Sequence, residues 1–341
     1  MPLRTRHLAD LFTTLYIREV LSPLAEKSLI ARIRRHASTD RRVIAGIGDD
    51  SAVLRIPAGH EALVTTDFTL EGIHFRQAWH APQVVGRRCL TRGLSDIAAM
   101  GGEPIAAFLS LALPANLPQK WVSGFLDGLL SLAREFHVSL AGGDTAESPD
   151  GILADIVVLG SVPKGKAIRR SGARPGDRIY VTGELGGSSA TLDLLFSGRK
   201  LRAADFPRHF HPVPRIEIGR LLRSKRLASA MIDTSDGLST DLAHICEESG
   251  VGAEIDANTI PLAAIGKPAR RVDLKFALHG GEDYELLFTA SKDKRIPRSI
   301  GGIRITEIGT ILRSPKIYLI KEGRRSILEP RGWQHFKPRE I

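Results

Sequence analysis

Hydrophobic positions in this chain form short apolar runs that alternate with longer segments of helical spacing. Runs of strand length occur at 43–47, 52–56, 61–66, 105–113, 138–141, 153–160 and 178–182. Apolar residues recur at helical intervals over 26–33, 82–100, 121–136, 188–196, 216–222 and 238–249. Because strands and helices alternate along 341 residues, the pattern predicts two α/β domains, each with its own hydrophobic core.

Gly93 interrupts the helical pattern of 82–100, and Leu94-Ser95-Asp96 follows it directly. Glycine weakens a helix, whereas Ser and Asp are favoured at helix starts. We therefore expect a break at Gly93 and a new helix that Ser95 or Asp96 caps.

The boundary between the domains is predicted at residues 163–166. The segment 160–167 nearly matches a phosphate-binding P-loop, but Ala167 stands where that motif requires a magnesium-binding hydroxyl. We therefore interpret it as a connection and predict domains at 26–163 and 164–341, preceded by an N-terminal arm at 1–25.

Composition is that of a globular protein, with 43% hydrophobic and 25% charged residues. No apolar run approaches the roughly 20 residues that span a bilayer, and the N-terminus lacks the apolar core of a signal peptide. Cys89 and Cys246 lie in apolar, helix-like segments, which predicts core thiols in a reducing compartment. We expect a cytoplasmic protein.

The formal net charge of +10 permits two interpretations. A basic surface attracts nucleic acid by releasing counterions from phosphates. It would equally steer small phosphorylated substrates toward an acidic, metal-filled cleft. The basic residues are scattered and no recognition motif accompanies them.

Aspartates recur beside glycines and at predicted strand ends. The turn 46–53 contains Asp49 and Asp50, and the others are Asp67, Asp96, Asp144, Asp233 and Asp236. Each has an ordinary explanation as a turn or cap residue. As a recurring set without His or Cys partners, they predict sites for hard cations such as magnesium, which is usually shared with substrate phosphates. The implied chemistry is phosphoryl transfer from a nucleotide, which depends on positioning and charge neutralisation.

Six segments occur in an order that resembles the thiamine-monophosphate kinase family, within the aminoimidazole-ribonucleotide-synthetase-like superfamily. They are 46–53, 65–75, 94–101, 142–145, 232–238 and 280–286. The resemblance covers about residues 26–336. It implies an α/β (α+β) fold of two domains, with mixed sheets and helices on one side, and a homodimer formed through the N-terminal sheet.

The resemblance also implies ATP-dependent phosphorylation of thiamine monophosphate to thiamine diphosphate, by direct in-line transfer assisted by several Mg²⁺ ions. The implied magnesium ligands are Asp50, Thr65, Thr66, Asp67, Asp96, Asp144, Asp233 and Asp236. The implied ATP contacts are Gly143, Asp144, Arg170 and Ser235, and those to thiamine monophosphate are His74, Glu282 and Trp333. No covalent nucleophile or general base is expected.

Two alternatives remain at this stage. A sister enzyme of the superfamily would share the aspartates but should lack the Gly-Gly-Glu-Asp-Tyr-Glu-Leu segment and Trp333. A catalytically silent nucleotide sensor or RNA-binding protein would suit the positive charge. Gly93 and Phe136 also depart from the family, whose members commonly have Asn and Tyr at these positions.

Overall fold

The computed structural model describes residues 26–37, 40–333 and 336, so the predicted N-terminal arm lies outside the described residues. The helices are α1 (Glu26–His36), α2 (Pro82–Ala99), α3 (Gln119–Glu135), α4 (Gly187–Phe196), α5 (Pro207–Phe210), α6 (Ile216–Ser224), α7 (Leu238–Ser249) and α8 (Leu274–His279), with a 3₁₀ turn at Ala203–Asp205. The first strands are β1 (Val43–Ala45), β2 (Val53–Leu54), β3 (His60–Leu70), β4 (Glu103–Leu113), β5 (Ser139–Glu147), β6 (Leu153–Pro163), β7 (Arg178–Thr182) and β8 (Ala230–Asp233). The remaining strands are β9 (Gly252–Asp256), β10 (Ala264–Ile265), β11 (Arg270–Arg271), β12 (Leu286–Ala290), β13 (Ser299–Ile300), β14 (Ile303–Leu312), β15 (Ile317–Lys321) and β16 (Arg324–Ile327).

Backbone contacts divide the chain into two compact units. The first unit contains the described residues up to Arg55, together with Thr66–Leu90 and Ile105–Val157. The second unit contains Ile56–Thr65, Thr91–Pro104 and the described residues from Val158 onward. The domain boundary between 163 and 164 stays a prediction. Within the described part of the chain, no helix has the length and apolar character needed to cross a bilayer.

Strands β3, β6, β4 and β5 form a four-stranded sheet in that order, and β4 runs parallel to β5. The predicted amphipathic helix is confirmed as α3, which buries Trp121, Phe125 and Leu129. These apolar side chains recur at intervals of four residues, so they share one face of the helix.

Asp67 and Asp144 do not lie at strand ends, contrary to the sequence-based prediction. Strand β3 continues past Asp67 to Leu70, and β5 continues past Asp144 to Glu147. The paired glycines before Asp144 form no turn, because β5 stays paired with β4 and absorbs the local irregularity as a register shift opposite Phe108.

The second unit contains an eight-stranded sheet. Its strand order is β16-β15-β9-β14-β7-β12-β8, and β13 pairs with β14. Most neighbours are antiparallel, but β15 runs parallel to β9. Helix α7 buries Leu238, Leu242 and Ile245, and the left-handed Gly250 ends it as predicted. The mixed sheets and associated helices confirm the predicted fold class.

Gly93 does not break helix α2, which is continuous from Pro82 to Ala99. A Cβ added at Gly93 would lie 2.5 Å from Cγ2 of Val158, so the glycine permits the helix to approach a strand closely. Ser95 and Asp96 consequently lie inside the helix and are not its caps. The prediction of a helix break was wrong because glycine serves tertiary packing here.

The two cysteines lie in the core, as predicted. Cys89 has no exposed surface and Cys246 is 3% exposed. Burial raises the pKa of the Cys246 thiol to about 12, which keeps it protonated and unreactive.

Candidate functional site

A cavity of about 610 Å³ in the first unit collects three of the predicted site residues. Its wall includes Asp50 from the turn between β1 and β2, and Gly143 and Asp144 from β5. Ile30 and Ile33 of α1 supply apolar surface. The cavity therefore combines three carboxylates, those of Asp49, Asp50 and Asp144, with an apolar wall, as sites for small molecules commonly do.

Two glycines shape this cavity. Gly48 has φ +121°, and a Cβ there would lie 2.6 Å from the Arg34 guanidinium. Gly143 has φ +152°, and a Cβ there would lie 1.8 Å from the carbonyl oxygen of Leu109. Neither position accepts a side chain without displacement of its neighbour. Each glycine therefore lets the backbone lie close to a neighbouring group of the protein, the Arg34 guanidinium or the Leu109 carbonyl.

Thr65 and Thr66 point to opposite faces of β3, because side chains alternate along a strand. The Thr66 hydroxyl donates to Asp155 on β6 at 2.7 Å, whereas the Thr65 hydroxyl donates to Asp96 of α2. The structure does not bring the two predicted hydroxyl ligands together. Asp155 could not be identified from local sequence pattern, because its contact with Thr66 depends on pairing between distant strands.

His74 and Asp67 belong to the first unit. Asp67 lies on the half-buried face of β3, and Nδ1 of His74 accepts a hydrogen bond from the backbone N–H of Leu70 at 2.9 Å. This contact holds the imidazole against the turn that follows β3.

Residues 233–237 of the second unit connect β8 to α7, and we call them the acidic turn. Asp233 is 3% exposed and accepts a hydrogen bond from the buried Ser95 hydroxyl at 2.6 Å. Asp236 lies three residues later in the turn. Both residues lie where the sequence predicts them, because a strand, a polar turn and an amphipathic helix can each be recognised from local pattern.

Asp241, in the first turns of α7, was not identified from the sequence. It is 1% exposed, and its Oδ2 accepts from the Gly237 N–H at 3.0 Å. Its Oδ1 has no hydrogen-bond partner among the described residues. Burial, and then the charges of Asp233 and Asp236, hold its pKa well above the usual range. This concentration of buried acidic groups fits a bound cation, which would offset the charge.

In the described part of the chain, no group of three or more His, Cys, Asp or Glu side chains is arranged to hold a metal ion. Magnesium is typically held by one or two carboxylates while substrate phosphates and water complete its shell. The donor chemistry of Asp233 and Asp236, with hydroxyls nearby, therefore suits magnesium that is shared with a nucleotide.

The segment 280–286 packs directly against the acidic turn. The Glu282 N–H donates to the Ser235 carbonyl at 2.9 Å, and the Tyr284 N–H donates to the Thr234 carbonyl at 3.0 Å. Glu282 has φ +67° and Tyr284 has φ +52°, a left-handed conformation that costs about 1 to 3 kcal/mol for each such residue. We call residues 280–286 the strained turn.

Side chains on either side of Tyr284 fix the strained turn from within the second unit. Asp283 accepts from the backbone N–H groups of Gly186 at 2.6 Å and Ser188 at 3.2 Å. Glu285 accepts from Arg215 Nε at 2.7 Å and from the Thr182 hydroxyl at 2.6 Å. Because Asp283 occupies the N-terminus of α4, the glycine turn before that helix has no room for a phosphate.

Burial raises the pKa of Asp283 to about 7, and the charge of Glu285 adds to that shift. The N–H donors of Gly186 and Ser188 and the nearby Arg208 act in the opposite direction. The partly buried carboxyl therefore exchanges its proton near neutral pH.

Two of the residues predicted to contact the phosphorylated substrate, Glu282 and Trp333, lie beside the acidic turn. The carboxylate of Glu282 forms an ion pair with Arg92 of α2. The backbone N–H of Trp333 donates to the Asp236 carbonyl at 3.0 Å, while its side chain is 44% exposed. The structure thus gathers Asp233, Ser235, Asp236, Glu282 and Trp333 from distant parts of the sequence, and Ser95 and Arg92 join them to the turn of α2 that carries Asp96.

Arg170 is not gathered with them. Its carbonyl oxygen accepts from the hydroxyl of Ser249 at the end of α7, at 3.1 Å, and its neighbour Arg169 accepts from Met231 in β8. The acidic turn lies at the other end of both elements, after β8 and before α7.

Comparison with known proteins first identifies the class. Residues 48–162 match the N-terminal domain of AIR synthase related protein, and residues 174–321 match the C-terminal domain of AIR synthase related protein.

Individual relatives narrow this class to a family. A thiamine-monophosphate kinase of Salmonella typhimurium (strain LT2) is 38% identical over 328 residues, covering 91% of this chain and 98% of the relative. The crystal structure of a thiamine-monophosphate kinase from Stenotrophomonas maltophilia K279a is 35% identical with a TM-score of 0.76, covering 89% and 98% of the two chains. A structure of AaThiL complexed with AMPPCP and TMP is 31% identical with a TM-score of 0.72, covering 91% and 95%. The chain belongs to the thiamine-monophosphate kinase family of enzymes, which confirms the resemblance found in the sequence.

The raised pKa of Asp283 predicts a pH-dependent contribution to stability. The folded protein keeps a proton that the unfolded chain releases near the ordinary aspartate pKa of 3.8, so this contribution is full below that pH and is lost as pH rises through about 7. We expect the stability difference between wild type and Asp283→Asn to fall with pH across this window, by at most about 1.4 kcal/mol per pH unit. Urea unfolding of both proteins from pH 4 to 8 measures it. A difference that is constant or rises with pH would contradict the assignment.

Proposed function

We propose that this protein transfers the γ-phosphoryl group of ATP to the phosphate of thiamine monophosphate, giving thiamine diphosphate and ADP. The observation that carries the proposal is the convergence of Asp233, Asp236, Glu282 and Trp333 in the second unit. The AaThiL relative, which was crystallised with AMPPCP and TMP, supports the choice of both substrates.

The proposed magnesium ligands are the eight residues that the family resemblance implied. Asp50, Thr66, Asp67 and Asp144 belong to the first unit, whereas Thr65, Asp96, Asp233 and Asp236 belong to the second. Bound magnesium would supply positive charge that neutralises the phosphates. The buried, unpartnered Oδ1 of Asp241 supports a cation near Asp233 and Asp236, because an uncompensated acidic cluster is costly.

Nucleotide contacts are proposed at Gly143 and Asp144, which line the cavity of the first unit, and at Ser235 and Arg170. An approaching phosphate can reach backbone beside Gly143 because no side chain covers it. Arg170 has an exposed side chain, and its guanidinium would neutralise phosphate charge.

For the acceptor, Glu282 provides a carboxylate that complements the cationic ring system of thiamine monophosphate. Trp333 offers an exposed indole face for stacking on the same ring system. His74, which the Leu70 N–H orients, is the third proposed contact.

The proposed reaction is a direct in-line displacement. A phosphate oxygen of thiamine monophosphate, already anionic, forms the new bond to the γ-phosphorus while the bond to the β,γ-bridging oxygen breaks, and ADP leaves with the electron pair. No side chain needs to remove a proton. The chain's own contribution is to hold the two phosphates in line and to exclude water.

An in-line mechanism predicts that no phosphorylated enzyme forms during turnover. Rapid acid quench of the protein with γ-³²P-labelled ATP and thiamine monophosphate should leave label in ATP and product but none on the chain. Covalent label that appears and decays at a rate matching turnover would rule out direct transfer while leaving the overall reaction intact.

The overall reaction predicts that thiamine diphosphate accumulates when the protein is incubated with ATP, magnesium and thiamine monophosphate. Asp96→Asn should lower kcat by about 100-fold or more, because it removes a charged group from the metal-binding set. Chromatography of the thiamine phosphates measures the product. Asp193→Asn, an exposed change on α4, is the matched control and should retain full activity. Wild-type ATP binding without product would show that the acceptor is another compound.

A homodimer is proposed through the outer face of β3, an edge strand on which Val64 and Phe68 are 64% and 55% exposed. Exposed apolar side chains on an edge strand favour association with another chain. Light scattering should therefore give twice the 37.1 kDa chain mass for wild type. We expect Val64→Lys with Phe68→Glu to give the single chain mass, whereas Ile327→Lys, at a residue 54% exposed, should not. A wild-type protein of single chain mass at micromolar concentration would exclude the dimer.

A further inference from the structure

One turn of helix α2 contacts three different elements of the candidate site. Arg92 pairs with Glu282 of the strained turn, Ser95 donates to Asp233 of the acidic turn, and Asp96 accepts from Thr65 of β3. Residues 92, 95 and 96 share one helix face, because positions three and four apart are neighbours. Two of these three contacts involve residues proposed to bind metal, but the contact of Arg92 involves a residue proposed to bind the acceptor.

Glu282 differs from the residues that follow it. Asp283 and Glu285 are held by hydrogen bonds that maintain the strained turn, and Tyr284 and Glu285 are 3% and 1% exposed. The Glu282 side chain is 21% exposed, so it can meet a ligand. The backbone of Glu282 has φ +67°, a left-handed conformation that residues other than glycine rarely adopt without support from their surroundings.

The hydrogen bond from the Arg92 guanidinium orients the carboxylate of Glu282. Nη2 of Arg92 donates to Oε1 of Glu282, and the Tyr284 hydroxyl lies 3.5 Å from the same oxygen. The Arg92 side chain is only 11% exposed, so water screens the pair less than it screens a surface ion pair. A guanidinium on a rigid helix restricts the carboxylate to one direction.

We propose that Arg92 is a positioning residue for the acceptor: it holds the Glu282 carboxylate in the orientation that receives the cationic ring of a phosphorylated substrate. This inference rests on the proposed function. Without Arg92, the Glu282 side chain samples other rotamers, and each binding event must order it again. Removal of Arg92 therefore weakens binding of the acceptor, whereas the proposed nucleotide contacts of Gly143 and Asp144 do not change.

The test is a comparison of steady-state kinetics for wild type, Arg92→Met and Arg92→Lys. Arg92→Met should raise KM for thiamine monophosphate by about 10-fold, the size expected for a hydrogen bond to a charged group. KM for ATP should stay within about 2-fold, which is below one such hydrogen bond. Arg92→Lys keeps the charge and should recover part of the loss. Calorimetric titration of thiamine monophosphate into each protein gives a second readout that needs no turnover.

Arg223→Met is the matched control. Arg223 is 10% exposed and pairs with Glu103, which is not a proposed site residue, at 3.8 Å in the same unit. It should leave both KM values unchanged. Combining Arg92→Met with Glu282→Gln should weaken acceptor binding no further than Glu282→Gln alone, because the two side chains act as one contact.

The outcomes separate this proposal from the proposed function. If wild type neither binds nor phosphorylates thiamine monophosphate, the proposed function fails. If wild type makes thiamine diphosphate and Arg92→Met keeps a normal KM for thiamine monophosphate, the role of Arg92 is overturned. Equal increases of both KM values, or a double variant whose losses add, would also overturn it. Should Arg92→Met fail to fold by circular dichroism, the KM ratio of Arg92→Lys decides in the same way.

Discussion

The buried ion pair of Glu285 is the interaction on which the second unit depends most. Its carboxylate is 1% exposed and receives hydrogen bonds from Arg215 beside α6 and from Thr182 at the end of β7. A buried charge is tolerated only when its hydrogen bonds are satisfied, and removal of one partner typically costs about 3 to 5 kcal/mol. Because Glu285 is the last residue before β12, this pair fixes the point where the strained turn joins that strand. Glu282 and Tyr284 can then keep their left-handed conformation, and their N–H groups hold the acidic turn in place.

Local patterns in the sequence predicted the elements whose conformation is decided locally. The acidic turn after β8, the helix α7 with its glycine stop, and the turn that carries Asp50 are all present. The failed predictions at glycines share one physical cause. Gly93, and the glycines before Asp144, look like local interruptions, but each gives space to a neighbouring element. Contacts between distant segments overrule local propensity in such places, and no single sequence states which segment will be the neighbour.

The residues that sequence reasoning missed are those whose importance lies in a distant partner. Asp241 was visible only as one more acidic residue in α7, and Arg92 as one of many scattered basic residues. The charges of Asp233 and Asp236 act on Asp241 only because the fold brings all three near one another, and Arg92 matters through its ion pair with Glu282. A signal for Asp283 was present, since three acidic residues within four positions cannot all be surface charges without repulsion. What could not be read was that the middle carboxylate would cap a helix that begins almost a hundred residues earlier.

The carboxylates of the motifs are therefore not one functional group, although the sequence suggests a uniform set. Asp144 is exposed at a cavity, where it can meet a metal that arrives with a nucleotide. Asp283 accepts hydrogen bonds from backbone N–H groups and Glu285 accepts from an arginine, so both carboxylates stabilise the site without touching a ligand. Asp241 lies between these cases, because it bonds to the backbone through one oxygen while the other meets no partner in the described structure. Burial and partner, more than residue type, decide which acid can bind a cation, and this is why a motif match identifies the family before it identifies the role of each residue.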